Sequence, residues 1–415
     1  MDGAWLLAAV PLLPVVAAFA SESGGPPPGR CDPFGPEGGW APVDGNPRAA
    51  GVLPPGWTDR SEPLGSECAF SREEEDGVIF LRIRARGEGK AQIARDAGTA
   101  TGGVSAFRVR FRARTRARAG LLFGLRAADR WAHSDWFYAA GLVEIGREWK
   151  EYDVPIRGEL PAGPAALCLN FGAPGALDLA SIALDPMDAA AYTPPTTAPV
   201  EREPNAVAHH RNADALAKET QPRIVLLGDS ITDGWDGEDG RAVWSESVAP
   251  LGAANLGIGA NRIEHVLWQV DHSGLGAGYR PPVVAVLIGI NNLFRIHSLV
   301  DIEDGMKALL ARLRARSPDS VILLQGILPS GKERAPRRDE IAELNRRFAR
   351  LADGRRVVFL DWGGDLLLPD GRMKPEVSRD GTHLTGEGYR LWAAALVPKA
   401  KGLLERPPAG AAAAK

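Results

Sequence analysis

One stretch decides the fold of this chain: Arg223-Ile224-Val225-Leu226-Leu227-Gly228-Asp229-Ser230-Ile231-Thr232. The apolar run between Pro222 and Gly228 is typical of a buried parallel strand. Such strands present their carboxyl ends to the ligand crevice of an open α/β sheet. Ser230 would lie at that end, where a following helix N-terminus favours negative charge. Taken alone, Gly-Asp-Ser is more often a capped turn than a catalytic site, so the rest of the chain must decide.

Downstream of this stretch, helical and strand patterns alternate. We predict strands at residues 224–227, 253–256, 283–288, 321–324 and 357–360, and helices at 205–220, 262–270, 301–316, 338–351 and 385–404. Alternation of this kind implies a parallel sheet with helices on both faces. The sequence therefore predicts a flavodoxin-like, doubly wound α/β domain over residues 205–405.

Upstream, residues 38–187 have the pattern of an all-β domain. Residues 78–85 and 106–113 alternate apolar side chains with arginines that we expect to face solvent. Further short apolar runs follow at spacings of roughly 8–15 residues, which is typical of a sandwich or jelly roll. The order of these runs resembles carbohydrate-binding jelly-roll modules of secreted glycan-active enzymes. Four side chains either form a sugar-stacking platform or, as we favour, pack in the core: Trp131, His133, Trp136 and Tyr138.

The ends and the middle of the chain carry other signals. Residues 1–20 resemble a signal peptide, because an apolar run ends at Ala18-Phe19-Ala20, and they predict a secreted or periplasmic protein. We expect residues 21–37 to be a flexible lead-in, 188–204 a proline-rich linker and 406–415 a disordered tail.

Composition narrows the possible partners. The net charge is −3, with 49 Lys and Arg against 52 Asp and Glu, so no basic surface for nucleic acid is expected. We expect no stable membrane insertion after the signal is removed, and nothing in the sequence indicates an oligomeric state. Of the three cysteines, Cys68 can pair with Cys168, either can pair with Cys31, or all three are free.

The loops that follow the predicted strands carry chemistry. Four stretches would converge at the strand ends: Gly228-Asp229-Ser230, Asn255-Leu256-Gly257-Ile258-Gly259-Ala260-Asn261, Gly289-Ile290-Asn291-Asn292 and Asp380-Gly381-Thr382-His383. Acyl transfer needs a hydroxyl nucleophile, a base and a group that orients the base, which Ser230, His383 and Asp380 can supply. The developing oxyanion needs fixed donors, for which we predict the Ser230 and Ala260 backbone N–H groups and the Asn291 side chain.

These four stretches, in this order and spacing, resemble the motifs of the GDSL/SGNH hydrolase family. Asn255-Leu256-Gly257-Ile258-Gly259, followed by His265 and Trp268, most resembles acetylhydrolases of the platelet-activating-factor type and related bacterial carbohydrate acetylesterases. By distance from Asn255, the family's oxyanion glycine aligns with Ala260, with Gly259 as the alternative. Alanine is expected to serve if its φ is negative. The resemblance implies no metal and no cofactor.

The function expected from this resemblance is hydrolysis of short-chain acyl esters, with acetyl as the expected acyl group, on an acylated small molecule or glycan. One alternative in the same reaction class is a lipid-directed acetylhydrolase or lysophospholipase. An alternative of another class is a glycan-binding protein whose hydrolase domain is inactive. The complete set of Ser230, Asn291, Asp380 and His383 argues against the latter, because binding alone does not need all four.

Overall fold

The fold is given by a computed structural model, which describes residues 40–43, 49–61, 67–86, 90–115, 119–128, 136–138, 143–172, 175–295, 297–332 and 337–406. These residues do not include the predicted signal peptide and lead-in, Cys31, Trp131, His133 or the tail beyond residue 406, and the side chains of Trp136 and Tyr138 are not described. The chain divides into two compact units, one mostly before residue 190 and the other mostly after it.

The first unit is built from strands that form two sheets. The strands are β1 (Ala41–Pro42), β2 (Ala49–Leu53), β3 (Trp57–Asp59), β4 (Glu67–Glu75), β5 (Val78–Arg86), β6 (Lys90–Ala100), β7 (Gly103–Thr115), β8 (Ala119–Ala127), β9 (Trp136–Tyr138), β10 (Val143–Ile145), β11 (Lys150–Leu160), β12 (Gly163–Gly172) and β13 (Gly175–Met187). One sheet has the order β1-β2-β4-β5-β13-β7-β11 and the other β10-β8-β12-β6-β3, with β9 paired to β8. The pairs are antiparallel in β13 with β7 and in β12 with β6, whereas β2 and β4 are parallel.

The apolar faces of these two sheets share one core. Phe111 on β7 and Phe123 on β8 meet edge to face with ring centroids 5.3 Å apart, and both are buried. The predicted β-sandwich is therefore confirmed. Cys68 and Cys168 are buried free thiols, so the Cys68–Cys168 pair, one of the alternatives left open by the sequence, does not form. They lie on strands of different sheets, β4 and β12.

The alternating pattern predicted that the arginines of β7 face solvent. In the structure, two of them form ion pairs across the sheet. Arg110 pairs with Asp185 at 2.8 Å, and Arg114 pairs with Asp178 at 3.0 Å. Asp178 is 1% exposed and also accepts two hydrogen bonds from Arg82. The outer face of this sheet is thus held by cross-strand ion pairs, several of them shielded from water.

The second unit contains β14 (Ile224–Gly228), β15 (Ala253–Asn255), β16 (Val283–Leu287), β17 (Val321–Gln325) and β18 (Val357–Leu360). Its helices are α1 (Pro204–Thr220), α2 (Ser230–Asp233), α3 (Arg241–Val243), α4 (Ile263–Asp271), α5 (Ile290–Phe294), α6 (Leu299–Arg316), α7 (Arg337–Arg350) and α8 (Gly386–Leu404). The sheet order is β15-β14-β16-β17-β18, and its pairs are parallel. This order confirms the doubly wound, flavodoxin-like prediction.

The central strands are buried along their whole length, which explains why they read as unbroken apolar runs. Every residue of β14, β16 and β17 is buried. The buried face of α6 carries Met306, Leu309 and Leu313, as its period predicts. This rigid frame fixes the carboxyl ends of β14 and β16, from which the site loops extend.

The segment before α1 is ordered in part by side-chain contacts. The Tyr192 hydroxyl donates to the Asp301 carboxylate at 2.9 Å, and Thr196 is fully buried.

In the part of the chain that the structure describes, no helix is long and apolar enough to cross a membrane. The domain boundaries given above stay a prediction.

Candidate active site

Ser230 is the first residue of α2, directly after β14. The carboxylate of Asp229 caps this helix by accepting the Ile231 N–H at 3.0 Å. A Cβ at Gly228 would lie 2.1 Å from Thr232 Oγ1 and 2.5 Å from the Leu287 carbonyl oxygen. Glycine is therefore required where β14 turns beside β16, and this turn sets the position of the Ser230 hydroxyl.

The loop before α8 brings a histidine and an aspartate to that hydroxyl. Ser230 Oγ and His383 Nε2 lie 2.9 Å apart, and His383 Nδ1 and Asp380 Oδ2 lie 2.6 Å apart. With Nδ1–H donated to Asp380, Nε2 keeps a lone pair that can accept the Ser230 proton. The three residues thus form one hydrogen-bonded chain, although Ser230 and His383 are 153 positions apart in the sequence.

The Asp380 carboxylate is fixed by its own loop. Its Oδ1 accepts the backbone N–H groups of Thr382 and His383, each at 2.8 Å. Burial acts to raise the pKa of Asp380, but these hydrogen bonds and the His383 ring outweigh burial and lower the pKa to about 2. Asp380 is therefore ionised at neutral pH and can stabilise a protonated His383.

Two contacts tie this loop to its surroundings. Gly381, with φ of 86°, accepts the Gly331 N–H at 2.8 Å through its carbonyl oxygen. Arg379 holds Asp239 in a two-pronged ion pair of 2.6 and 2.9 Å. Because Asp239 lies in the loop after α2, the pair links the segments that carry Ser230 and His383. Neither Arg379 nor Asp239 belongs to a predicted motif.

The hydrogen-bond partners in the loop after β15 bear on the choice between the Gly259 and Ala260 N–H groups as the second backbone donor. The Gly259 N–H donates to Asp233 Oδ2 at 3.2 Å, so this group is already used. Within the described chain, the Ala260 N–H has no such partner and remains open to a ligand. Ala260 has φ of +60°, so the condition of a negative φ, under which alanine was expected to serve, is not met. A left-handed turn, rather than an extended one, directs the Ala260 peptide.

Asn291 lies in the first turn of α5, after β16. One Nδ2 proton is donated to the Asn261 carbonyl oxygen at 2.9 Å, which joins α5 to the loop that contains Ala260. An amide nitrogen has two protons, so the second is available to an oxyanion. The neighbouring Asn292 is buried and instead binds the Ile263 N–H at 3.0 Å. Its role is to hold α4 against α5.

Trp235 and His297 lie in the framework of the second unit. Trp235 is fully buried and packs against Tyr389 and Trp392, with ring centroids 4.6 and 4.9 Å away. His297 is buried with Nδ1 2.9 Å from Asn292 Nδ2, and burial lowers its pKa to about 4. Among the described residues, no three His, Cys, Asp or Glu side chains group as metal ligands do.

A serine hydroxyl, a histidine and an aspartate joined by hydrogen bonds beside a parallel sheet form an arrangement that can carry out acyl transfer. The sequence profile of the GDSL-like Lipase/Acylhydrolase family matches residues 226–391. The alpha1 subunit of human platelet-activating factor acetylhydrolase IB is 32% identical over 182 residues, covering 44% of this chain and 76% of that protein. The bovine alpha2 subunit is 30% identical over 176 residues, covering 41% and 73%.

The chain belongs to the GDSL-like lipase/acylhydrolase family and is a carboxylic ester hydrolase. Solved structures with related folds include a GDSL-like lipase from Bacteroides thetaiotaomicron, at 19% identity and a TM-score of 0.41, covering 48% of this chain and 98% of that one. A family two carbohydrate esterase from Clostridium thermocellum, in complex with cellohexaose, has 12% identity and a TM-score of 0.34, covering 78% and 95%. At these scores neither bears on the substrate of this chain.

Proposed function

We propose that this protein removes acetyl groups from esterified carbohydrate, with Ser230 as nucleophile. The observation that carries the mechanism is the hydrogen-bonded chain from Ser230 Oγ through His383 to Asp380, at 2.9 and 2.6 Å. A hydroxyl with an oriented base beside it is the arrangement that makes serine nucleophilic at neutral pH.

The reaction has two halves. Ser230 Oγ attacks the ester carbonyl carbon while His383 Nε2 takes its proton, and the charge passes to the carbonyl oxygen. The N–H groups of Ser230 and Ala260 and the Asn291 amide hold this oxyanion. The tetrahedral intermediate then collapses, its bond to the sugar oxygen breaks, and the sugar oxygen takes the proton from His383. Water then attacks the acyl-enzyme and gives a proton to His383. Collapse of this second intermediate breaks the bond from the acyl carbon to Ser230 Oγ, which takes the proton back from His383, and acetate leaves.

Two observations support the substrate part of the proposal. The relatives that this chain resembles at 30–32% identity are named acetylhydrolases, which favours a short acyl group. The chain also carries an all-β unit of two packed sheets, an architecture common among carbohydrate-binding modules. A secreted or periplasmic location would place such an enzyme beside glycans, and it remains part of the proposal.

The mechanism is tested with p-nitrophenyl esters of two, four, eight and sixteen carbons, comparing wild type, Ser230→Ala and Ser245→Ala. Ser245 is exposed and serves as a matched serine control. We expect turnover to be highest with acetate, to be lost in Ser230→Ala and to be retained in Ser245→Ala. Unchanged turnover in Ser230→Ala would exclude this mechanism.

A phospholipid acetyl ester is the second candidate, because two relatives of this chain are, by name, acetylhydrolases of platelet-activating factor. Acetate release from acetylated xylan, acetylated pectin and an acetyl phospholipid distinguishes the two. Release from the phospholipid alone would replace the carbohydrate assignment. Binding to glycans without any ester hydrolysis would instead leave a binding protein with an inactive domain.

A further inference from the structure

Arg202, in the segment just before α1, reaches the loop that holds the Ala260 N–H. Its Nη1 donates to the Gly259 carbonyl oxygen at 3.1 Å and to Asn261 Oδ1 at 3.1 Å. These two acceptors lie on either side of Ala260 in the chain. One nitrogen of Arg202 therefore contacts the residues on both sides of Ala260, whose backbone N–H is the proposed donor.

The guanidinium of Arg202 is held in place before any substrate binds. Its other edge forms a two-pronged contact with Glu203, with Nε 2.7 Å from Oε2 and Nη2 2.6 Å from Oε1. The Arg202 side chain is only 14% exposed. Its hydrogen bond is the main reason why the pKa of Glu203 is lowered. Because the guanidinium is planar, fixing one edge also fixes the direction of Nη1.

The contact with Gly259 acts on Ala260 through the peptide that they share. The Gly259 carbonyl and the Ala260 N–H belong to one planar unit, so holding the oxygen also fixes the direction of the N–H. A cation at the carbonyl oxygen also draws electrons from the peptide nitrogen, which makes the N–H a stronger donor. On the other side, Asp233 holds the Gly259 N–H at 3.2 Å.

We infer that Arg202 is a positioning residue that aims and polarises the Ala260 N–H toward the oxyanion. The inference rests on the proposed function, because it assigns Ala260 to the oxyanion hole. Arg202 lies outside residues 226–391, the part that matches the family profile. The hydrolase domain thus takes an electrostatic group from the segment that precedes its first helix.

The test compares wild type, Arg202→Ala, Arg202→Lys and Arg314→Ala in p-nitrophenyl acetate hydrolysis. Arg314 pairs with Asp353 at 3.0 Å on α6 and is the matched arginine control. Removing a whole oxyanion donor costs about 10²–10³ in kcat, so misaiming one donor should lower kcat about tenfold, with KM within about twofold. Lysine can satisfy one of the two acceptors, so Arg202→Lys should lie between Arg202→Ala and wild type.

Two further readouts separate this role from a purely structural one. Affinity for a trifluoromethyl ketone, which adds to Ser230 as an oxyanion, should fall in parallel with kcat. Added guanidinium should partly restore the turnover of Arg202→Ala but not change Arg314→Ala. If Arg202→Ala does not fold, Arg202→Lys carries the same comparison.

The outcomes keep the two proposals apart. Wild-type turnover that does not depend on Ser230 would remove the proposed function itself. Ser230-dependent turnover with kcat of folded Arg202→Ala within twofold of wild type would overturn the positioning role alone. Equal loss in Arg314→Ala would do the same.

Discussion

Asp229, the residue before Ser230, should make the stability of this protein depend on pH in an unusual direction. Its side chain is fully buried, and among the described residues its Oδ2 has no hydrogen-bond partner. Burial raises the pKa of Asp229 to about 7, although the hydrogen bond from the Ile231 N–H acts to lower it. The folded protein therefore keeps a proton that the unfolded chain releases near its ordinary pKa.

The magnitude follows from the width of that window. A rise from 3.8 to about 7 is a little over three pKa units. At 1.36 kcal/mol per unit, the free energy of unfolding should fall by at most about 4 kcal/mol as Asp229 ionises. Between pH 4 and 7 the folded state binds more protons than the unfolded state. The stabilisation by protonated Asp229 is therefore fully present below pH 4, decreases as the pH rises to 7 and does not change further above pH 7.

Asp229→Asn removes the titration and can keep the cap on Ile231 N–H. In denaturant unfolding at pH 4, 5.5, 7 and 8.5, we expect the variant to gain stability over wild type from pH 4 to 7, with no further gain above pH 7. A difference that does not change between pH 4 and 8.5 would refute the reasoning.

Asp214→Asn is the control of opposite sign. Burial acts to raise the pKa of Asp214, but Lys218 at 2.7 Å, the Gly274 N–H and the Tyr279 hydroxyl outweigh burial and lower it. A lowered carboxyl pKa contributes stability above the unfolded value, which is lost as pH falls through the folded one. This variant should therefore be destabilised at pH 7 and approach wild type in acid.

Three further outcomes are expected. Asp380→Asn should lower kcat by about 10²- to 10⁴-fold without unfolding, because the amide cannot stabilise a protonated His383; a loss under threefold in p-nitrophenyl acetate turnover would contradict this. Gly257→Ala should lower Tm, at a cost of about 1–3 kcal/mol, because its Cβ would lie 2.4 Å from the Asp233 nitrogen, whereas Gly364→Ala, with nothing within 4 Å, should stay near wild type. Ala260→Gly should keep kcat within about threefold, since glycine adopts the same φ without strain, and a large loss would show that the Ala260 methyl group is needed.

In the second unit the strands and the five long helices were predicted to within two residues, whereas the short helices α2, α3 and α5 were not predicted. The physical reason for the agreement lies in its strands. Strand β18 spans Val357–Leu360 as expected, and β14 extends the prediction only by Gly228. Strands buried on both faces read as continuous apolar runs, and glycine or proline marks their ends. The same argument placed the loop with Ser230 at a strand end.

The first unit was predicted only in part. Strands β4 and β6 were missed, because their sequences, ECAFSREEE and KAQIARDAGTA, carry many charged or small residues. The acidic end of β4 is compatible with a sheet because arginines of β5 and β7 reach its carboxylates, as in the Arg84–Glu73 pair of 3.6 Å and the Arg114–Glu75 pair. Cross-strand partners of this kind depend on the pairing of strands, which a linear pattern does not contain.

The site divides in the same way. Ser230, His383, Asp380 and Asn291 act through side chains in recognisable motifs, so the sequence could indicate them. Arg202 and Asp233 act on backbone atoms, the oxygen and the N–H of Gly259. A backbone acceptor or donor leaves no residue type in the sequence, so only the structure locates such partners.

These backbone contacts also explain how an alanine can hold a left-handed conformation in the oxyanion loop. That conformation costs a residue with a Cβ roughly 1–2 kcal/mol. Asp233 and Arg202 hold the two ends of the Gly259 residue, at 3.2 and 3.1 Å, and Arg202 also holds Asn261 beyond Ala260. Several hydrogen bonds of about 1 kcal/mol or more each can offset that strain. The turn at Ala260 is therefore imposed from outside the residue, and removing Arg202 should release it.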